Sequence, residues 1–194
     1  MAQALVTGAN RGLGFETAKE LASRGWNVVI AARDLEAARN AARAIGARAR
    51  AVRLDVADPE APSRALAELA EVPDFDALVN NAGTSFDGFD ADVALRTIET
   101  NYRGAVRVTN AFRPRLSSTA NIVMVSSGMG ELGHVSPELR RRLLDPLLTF
   151  EMLDELVQDF VDRVRAGGEL GGWPRNAYSV SKVALNAATR LFAP

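Results

Sequence analysis

Thr7-Gly8-Ala9-Asn10-Arg11-Gly12-Leu13-Gly14 stands between a short apolar run, Ala2 to Thr7, and a segment of helical periodicity, and its reading decides the fold. Glycines placed between a buried strand and a helix carry a meaning that glycines elsewhere lack. A helix N-terminus offers bare amides and the positive end of the helix dipole, which attract a pyrophosphate, and residues without a Cβ let the main chain approach it closely. Taken alone, the same eight residues read as a tight turn, so the weight falls on the segments C-terminal to them.

Strand and helix patterns alternate from there onward. Gly12 to Arg24 places apolar residues at Leu13, Ala18, Leu21 and Ala22, with Gly25 at the C-terminal end. Trp26 to Ala32 is a second apolar run, and Asp34 then caps an Ala- and Arg-rich helix that reaches Ile45 and closes at Gly46. Arg48 to Leu54 reads as a third strand, Asp58-Pro59 as the start of a helix running to about Ala70, and Phe75 to Val79 as a fourth strand. Asp92 to Phe112 reads as one long helix stopped by Pro114, and Asn121 to Val125 as a fifth, continuously apolar strand. The order predicts an α/β fold of the Rossmann type, a doubly wound parallel sheet in three layers, α/β/α. The rhythm breaks at about residues 128–174. There, Pro137 to Leu144 and Leu147 to Val164 read as two amphipathic helices, with a loop containing Gly167-Gly168 and Gly171-Gly172 after them. Ala177 to Phe192 is a final helix, and residues 1–194 are read as a single domain with this helical insertion.

Composition narrows the function. With 194 residues, 47% of them apolar, the chain can bury roughly 70% of its unfolded surface without staples. The absence of cysteine excludes a disulfide scaffold, a thiol nucleophile and every thiolate metal site. Lys plus Arg at 23 against Asp plus Glu at 24 leaves a net charge of -1, which argues against nucleic acid as the main partner. No basic leader opens the chain and no run approaches the ~20 apolar residues of a membrane span, so a cytoplasmic protein is expected. Lys19 and Lys182 are the only lysines; every other basic residue bar the single His is an arginine.

The end of the second strand selects the nucleotide. An acid there favours a free ribose 2′-hydroxyl, whereas cations accommodate a 2′-phosphate. Arg33 stands at that position and Arg11 lies within the glycine loop, which points to NADP(H). Asp34 leaves a choice open, because it could face the ribose or cap the following helix. In the last helix, Tyr178-Ser179-Val180-Ser181-Lys182 sets a phenol and an ammonium four residues apart on one face. A solvated helix edge would be served as well by arginine in this chain. A compact ammonium, by contrast, stabilises a neighbouring phenolate and can also donate to a ribose.

Taken together, these motifs resemble the short-chain dehydrogenase/reductase superfamily: Gly8, Gly12 and Gly14 in the first loop, Asn80-Asn81-Ala82-Gly83 after the fourth strand, Asn101 in the long helix, Ser126-Ser127 after the fifth strand, and the Tyr178/Lys182 pair. The resemblance implies that Tyr178 is the general acid for a carbonyl oxygen receiving hydride, that Ser127 hydrogen-bonds the same oxygen, that Lys182 supports the tyrosine and binds the nicotinamide ribose, and that Asn101 holds a proton-relaying water. It further implies that Gly8, Asn10, Arg11, Gly12, Leu13, Gly14, Arg33, Asp55, Val56, Asn81, Ala82 and Gly83 bind the cofactor. Ser127 and Tyr178 lie 51 positions apart, and Ser136-Pro137-Glu138-Leu139 and Gly172-Trp173-Pro174 are similar to the insertion of the monomeric carbonyl reductase branch. That branch implies a monomer acting on ketones, aldehydes or quinones, with Met129 and His134 near the substrate or His134 merely exposed. Members of the superfamily continue beyond the tyrosine helix into a sixth and a seventh strand, so the resemblance leads one to expect that Pro194 is not the natural end. The alternative is a truncated, non-catalytic NADP-binding module. An epimerase or dehydratase relative shares the Tyr and Lys but is disfavoured by the Asn101-Ser127-Tyr178-Lys182 set and the insertion.

Overall fold

Gln3–Thr7 (β1), Asn27–Ala32 (β2), Ala49–Arg53 (β3), Phe75–Asn80 (β4) and Leu116–Met124 (β5) pair in one parallel sheet of order β3-β2-β1-β4-β5. They are seen in the computed structural model, which describes residues 1–193. The chain divides into two compact units, one made of Met1–Gly83 with Gly104–Val125, the other of Thr84–Arg103 with the chain from Ser126 onward.

The first unit is the sheet and its covering helices. The helix Gly12–Ser23 (α1) and the helix Leu35–Ile45 (α2) place Ala18, Ala22, Ala38, Ala41 and Ala42 against Val6, Val28 and Ile30 of the sheet. Their near-exclusive use of alanine lets helix and sheet backbones come close. On the other face, Ala61–Glu68 (α3) and the helix Gly104–Phe112 pack Ala61, Ala65, Val108 and Phe112 on Leu5, Val29, Val52, Phe75 and Leu78. Phe75 and Phe112 meet edge to face, with centroids 5.9 Å apart. Strand order reverses where β1 lies between β2 and β4, the crevice in which doubly wound folds bind ligands.

Four local expectations change. α3 begins at Ala61 rather than at Pro59: Asp58 N–H donates to the Asp55 carbonyl and Asp58 Oδ1 accepts from Glu60 N–H, so Asp58 closes a turn before the helix, and Pro62 is the first-turn proline. The long helix is not continuous. It runs as Ala91–Ile98 (α4), a π-helical turn Glu99–Arg103, and Gly104–Phe112 (α5). Thr97 and Thr100 hydroxyls donate to the carbonyls four residues back, at 2.7 and 3.0 Å, a bond that loosens helices. β5 begins at Leu116, not Asn121, and alternates between half-buried and exposed, with Val123 45% exposed, because it pairs with β4 alone among the described residues. A register irregularity lies between Phe75↔Leu116 and Ala77↔Asn121.

The second unit contains the insertion and the last helix. Pro137–Leu143 (α6) is capped by Ser136, Phe150–Ala166 (α7) by Thr149, and Ala177–Phe192 (α8) by Asn176, whose side chain accepts from Ser179 N–H at 2.8 Å. α7 starts at Phe150 rather than Leu147 because Asp145 takes the amides of Leu147 and Leu148 into a turn. α8 is apolar nearly all round, with Val180, Val183, Ala184, Leu185 and Ala188 buried. Phe160 of α7 packs against Trp173 and Phe89. No helix among the described residues is long and apolar enough to cross a membrane.

Candidate active site

In the first unit the glycine loop is built for close approach. Gly8 and Gly12 adopt φ of +64° and +59°, values that only glycine holds without strain. A Cβ at Gly8 would lie 2.8 Å from the Ala82 Cα, and one at Gly14 would strike Asn81 Nδ2 and the Gly8 carbonyl. The loop is stitched to the end of β4: Thr7 Oγ1 accepts from the amides of Asn81 and Ala82, both at 3.0 Å, and Asn81 Nδ2 donates to the Thr7 carbonyl at 2.9 Å. Asn81 and Ala82 are thus brought to the glycine loop, and Gly83 follows them in the chain.

The start of α1 is left open. α2, α4, α6, α7 and α8 each begin with a side chain bonded to a first-turn amide, whereas α1, led by Arg11, and α3 have no such bond, and the first turn of α1 carries no acid. Nothing lies within 4 Å of where a Gly12 Cβ would stand, and Leu13 is 75% exposed. Uncapped amides, a positive dipole end and an open glycine cradle fit a dinucleotide pyrophosphate. Arg11 and Arg33 are exposed. Asp34 is engaged as the α2 cap, its Oδ1 accepting from Glu36 and Ala37 amides at 2.9 and 3.2 Å, which is the capping role the sequence allowed for it. Asp55 and buried Val56 lie just after β3; Asp55 Oδ1 accepts from Ala57 N–H, and the Val56 carbonyl accepts from Arg107 at 2.7 Å.

In the second unit, the four expected catalytic residues are tied to one helix. Tyr178 and Lys182 lie in the first turns of α8, with the lysine Nζ 5.6 Å from the tyrosine ring centroid. Lys182 is buried, and burial pulls its pKa below the ordinary lysine value. Ser127 caps a 3-10 turn, Gly128–Gly130, its Oγ accepting from Met129 N–H at 3.1 Å. Asn101 sits in the π-helical turn with its side chain committed to protein: Oδ1 accepts from Thr84 N–H at 2.7 Å, while Nδ2 donates to the Thr84 carbonyl at 2.8 Å and to Ser181 Oγ at 3.0 Å. Both amide hydrogens are therefore used.

The residues that sequence reasoning missed are the ones between and beside the tyrosine and lysine. Ser181 Oγ donates to the Tyr178 carbonyl at 2.7 Å while accepting from Asn101. Ser179 Oγ donates to the Met129 carbonyl at 2.6 Å, and Asn186 Nδ2 to the Gly130 carbonyl at 2.9 Å. The available signal was polar residues on a helix that is otherwise buried and apolar. His134 is exposed and Met129 is 40% exposed on the turn after Ser127. Ser126 Oγ is buried without a hydrogen-bond partner among the described residues.

Residues 2–137 match the model of the short chain dehydrogenase family. The chain belongs to that family. It is 35% identical to (+)-neomenthol dehydrogenase of Arabidopsis thaliana, an alignment covering 98% of this chain and 77% of that protein. It is 32% identical to carbonyl reductase [NADPH] 1 of Rattus norvegicus, over 98% of this chain and 73% of that one. Among solved structures, menthone neomenthol reductase from Mentha piperita superposes with a TM-score of 0.91 at 30% identity, covering 99% of this chain and 84% of that one. This short-chain dehydrogenase is accordingly an oxidoreductase with the Rossmann-type parallel sheet its sequence announces.

Beside this site, Arg103 of the π-helical turn reaches α7. Its guanidinium bonds Asp154 at 2.7 and 3.1 Å, Glu99 at 2.8 Å and Gln158 at 3.0 Å. Burial opposes its charge, but the hydrogen bonds and charges of Asp154 and Glu99 more than offset that and hold its pKa above the ordinary value. Tyr102, next to it, is pushed upward, first by burial and then by Asp154.

Proposed function

We propose that this chain is an NADP(H)-dependent reductase that converts a ketone, aldehyde or quinone to the alcohol, acting as a monomer in the cytoplasm. The observation that carries the reading is the convergence of Asn101, the Ser127 turn and the Tyr178 carbonyl on side chains of α8, the helix that also bears Lys182. The choice of NADP(H) is supported by Arg11 and Arg33 at the nucleotide end and by the engagement of Asp34 as a helix cap. The choice of a carbonyl substrate is supported by the relatives, one of which is itself named as an NADPH carbonyl reductase. The monomeric state rests on α6 and α7, the insertion that resembles that branch.

The bound nicotinamide supplies hydride. In this reading, Gly8, Asn10, Arg11, Gly12, Leu13 and Gly14 cradle the pyrophosphate, Arg11 and Arg33 meet the 2′-phosphate, Asp55 and Val56 take the adenine, and Asn81, Ala82 and Gly83 line the cleft. Tyr178 donates its phenolic proton to the carbonyl oxygen, and Ser127 donates a hydrogen bond to that oxygen as negative charge grows on it. Lys182 stabilises the resulting phenolate and holds the nicotinamide ribose. Because both Asn101 amide hydrogens are already donated, a proton-relaying water would be held there by donating to an Asn101 oxygen, in a π-helical turn of the kind found at functional sites.

The test is NADPH consumption monitored by absorbance with a panel of quinones and aromatic and aliphatic ketones, alongside NADPH and NADH binding. Turnover that Tyr178→Phe reduces at least about a hundredfold, with NADPH bound more tightly than NADH, is the expected result. NADPH binding without turnover would leave a binding module and remove the chemistry; absence of binding would remove both.

A further inference from the structure

We propose that Ser179 and Asn186 are positioning residues that fix the Ser127 turn onto α8, a proposal that rests on the carbonyl-reducing reading above. The turn Gly128–Gly130 is only three residues long, too short to satisfy its own carbonyls. Two of those carbonyls are met from α8: Met129 by the Ser179 hydroxyl at 2.6 Å and Gly130 by the Asn186 amide at 2.9 Å. Positions 179 and 186 are seven apart, two turns of helix, and Lys182 falls between them at i+3 and i−4, so all three share one stripe. Ser179 lies in the first turn of α8, with no helical turn before it to bond, and from a site only 1% exposed its hydroxyl reaches out of the helix.

Gly130 shows how close the two segments are. A Cβ there would lie 2.8 Å from both C and O of Lys182 and 2.7 Å from Asn186 Nδ2, so the turn rests directly on the main chain of the lysine. Ser127 Oγ is in turn oriented by the Met129 amide, the residue whose carbonyl Ser179 holds. Movement of the turn along α8 therefore moves the serine hydroxyl relative to Tyr178 and Lys182. Misplacement of a reacting group by about 1 Å costs on the order of a hundredfold in rate.

The experiment compares wild type with Ser179→Ala, Asn186→Ala, the double variant and Ser179→Thr, which restores a hydroxyl. For each we would measure backbone amide exchange at Met129 and Gly130 by NMR, melting temperature, NADPH affinity, and kcat and KM for one quinone. Expected for Ser179→Ala are exchange at those two amides about five- to tenfold faster, kcat lowered about tenfold or more, and KM and NADPH affinity within about twofold, with Ser179→Thr recovering most of kcat. Unchanged exchange at Met129, or unchanged kcat once the turn has loosened, overturns the proposal. So does a matched fall in NADPH affinity and kcat, which marks general damage. Should Ser179→Ala not fold, Asn186→Ala, at a half-buried position, gives the same readouts. An inactive wild type would sink the reductase reading, while the exchange data would still decide whether the clamp exists.

Discussion

Replacing Asn101 with alanine removes three hydrogen bonds at once and leaves the Thr84 N–H and C=O without the partners they have at 2.7 and 2.8 Å. Thr84 is half-buried, so water reaches these groups in part, and each strands about 1 kcal/mol rather than the upper end of the range for buried backbone. Ser181 keeps its donation to the Tyr178 carbonyl but loses its donor from Asn101, a further loss of roughly 0.5–1 kcal/mol. With the small cavity left at a site 1% exposed, the total comes to about 2–4 kcal/mol. That is a large part of the stability of an ordinary domain. Asn101→Asp is the sharper variant. It still accepts from Thr84 N–H, but an acceptor oxygen now faces the Thr84 carbonyl, so a nearly isosteric change should destabilise about as much as alanine. Urea unfolding monitored by the fluorescence of Trp173, which is buried in the second unit, reads the difference directly. A loss under about 1 kcal/mol for both variants, with turnover abolished, would contradict a structural role for these bonds and return Asn101 to the role of a side chain that serves chemistry alone.

The same geometry sets three further outcomes. Gly14→Ala should abolish NADPH binding, because its Cβ would strike Asn81 Nδ2 and the Gly8 carbonyl, whereas Gly12→Ala meets only the strain of a positive φ, about 1–2 kcal/mol, and should weaken binding more mildly in titration calorimetry. Burial lowers the Lys182 pKa below 10.5, so the unfolded chain keeps this proton to higher pH than the folded one, and the lysine's contribution to stability rises with pH from its folded value up to about 10.5. The melting temperature of wild type minus that of Lys182→Met should therefore climb with pH across that window; a flat difference would contradict the burial. Arg103→Met should cost about 1–2 kcal/mol in chemical denaturation by leaving Asp154, itself 46% exposed, and Glu99 without their guanidinium.

The features legible in the sequence were those that depend on local pattern. The glycine loop, the five strands in order and the two inserted helices each arise from periodicity and from residues with special φ or capping ability. The π-helical turn could not be read, because Glu99–Arg103 has the apolar spacing of an ordinary helix and its distortion accompanies a side chain, Asn101, bonded to Thr84 and Ser181, 17 and 80 positions away. The start of β5 was missed for a similar reason: Leu116 to Ala120 is polar in the middle, as an edge strand can be, and only the apolar run from Asn121 reads as a strand. At the site, Tyr178 and Lys182 stood out through the scarcity of both residue types, while Ser179 and Ser181 passed as filler between them.

Those two serines, with Asn186, tie the site to its helix. α8 is buried over most of its length, and a helix selected for stability alone in that setting would be alanine and leucine throughout, since every buried polar group must find a partner or lose several kcal/mol. Instead it holds Tyr178, Ser179, Ser181, Lys182 and Asn186, and three of the five have identifiable jobs in holding other parts of the site: Ser181 meets Asn101, Ser179 the Met129 carbonyl, and Asn186 the Gly130 carbonyl. In the proposed reading the tyrosine and lysine present two reacting groups to one ligand, and the other polar residues of the helix hold the segments that carry Ser127 and Asn101. If Tyr178 is the acid, as proposed, one helix both carries it and positions its partners, which is why a polar residue at 179 or 186 should matter to rate well beyond its single hydrogen bond.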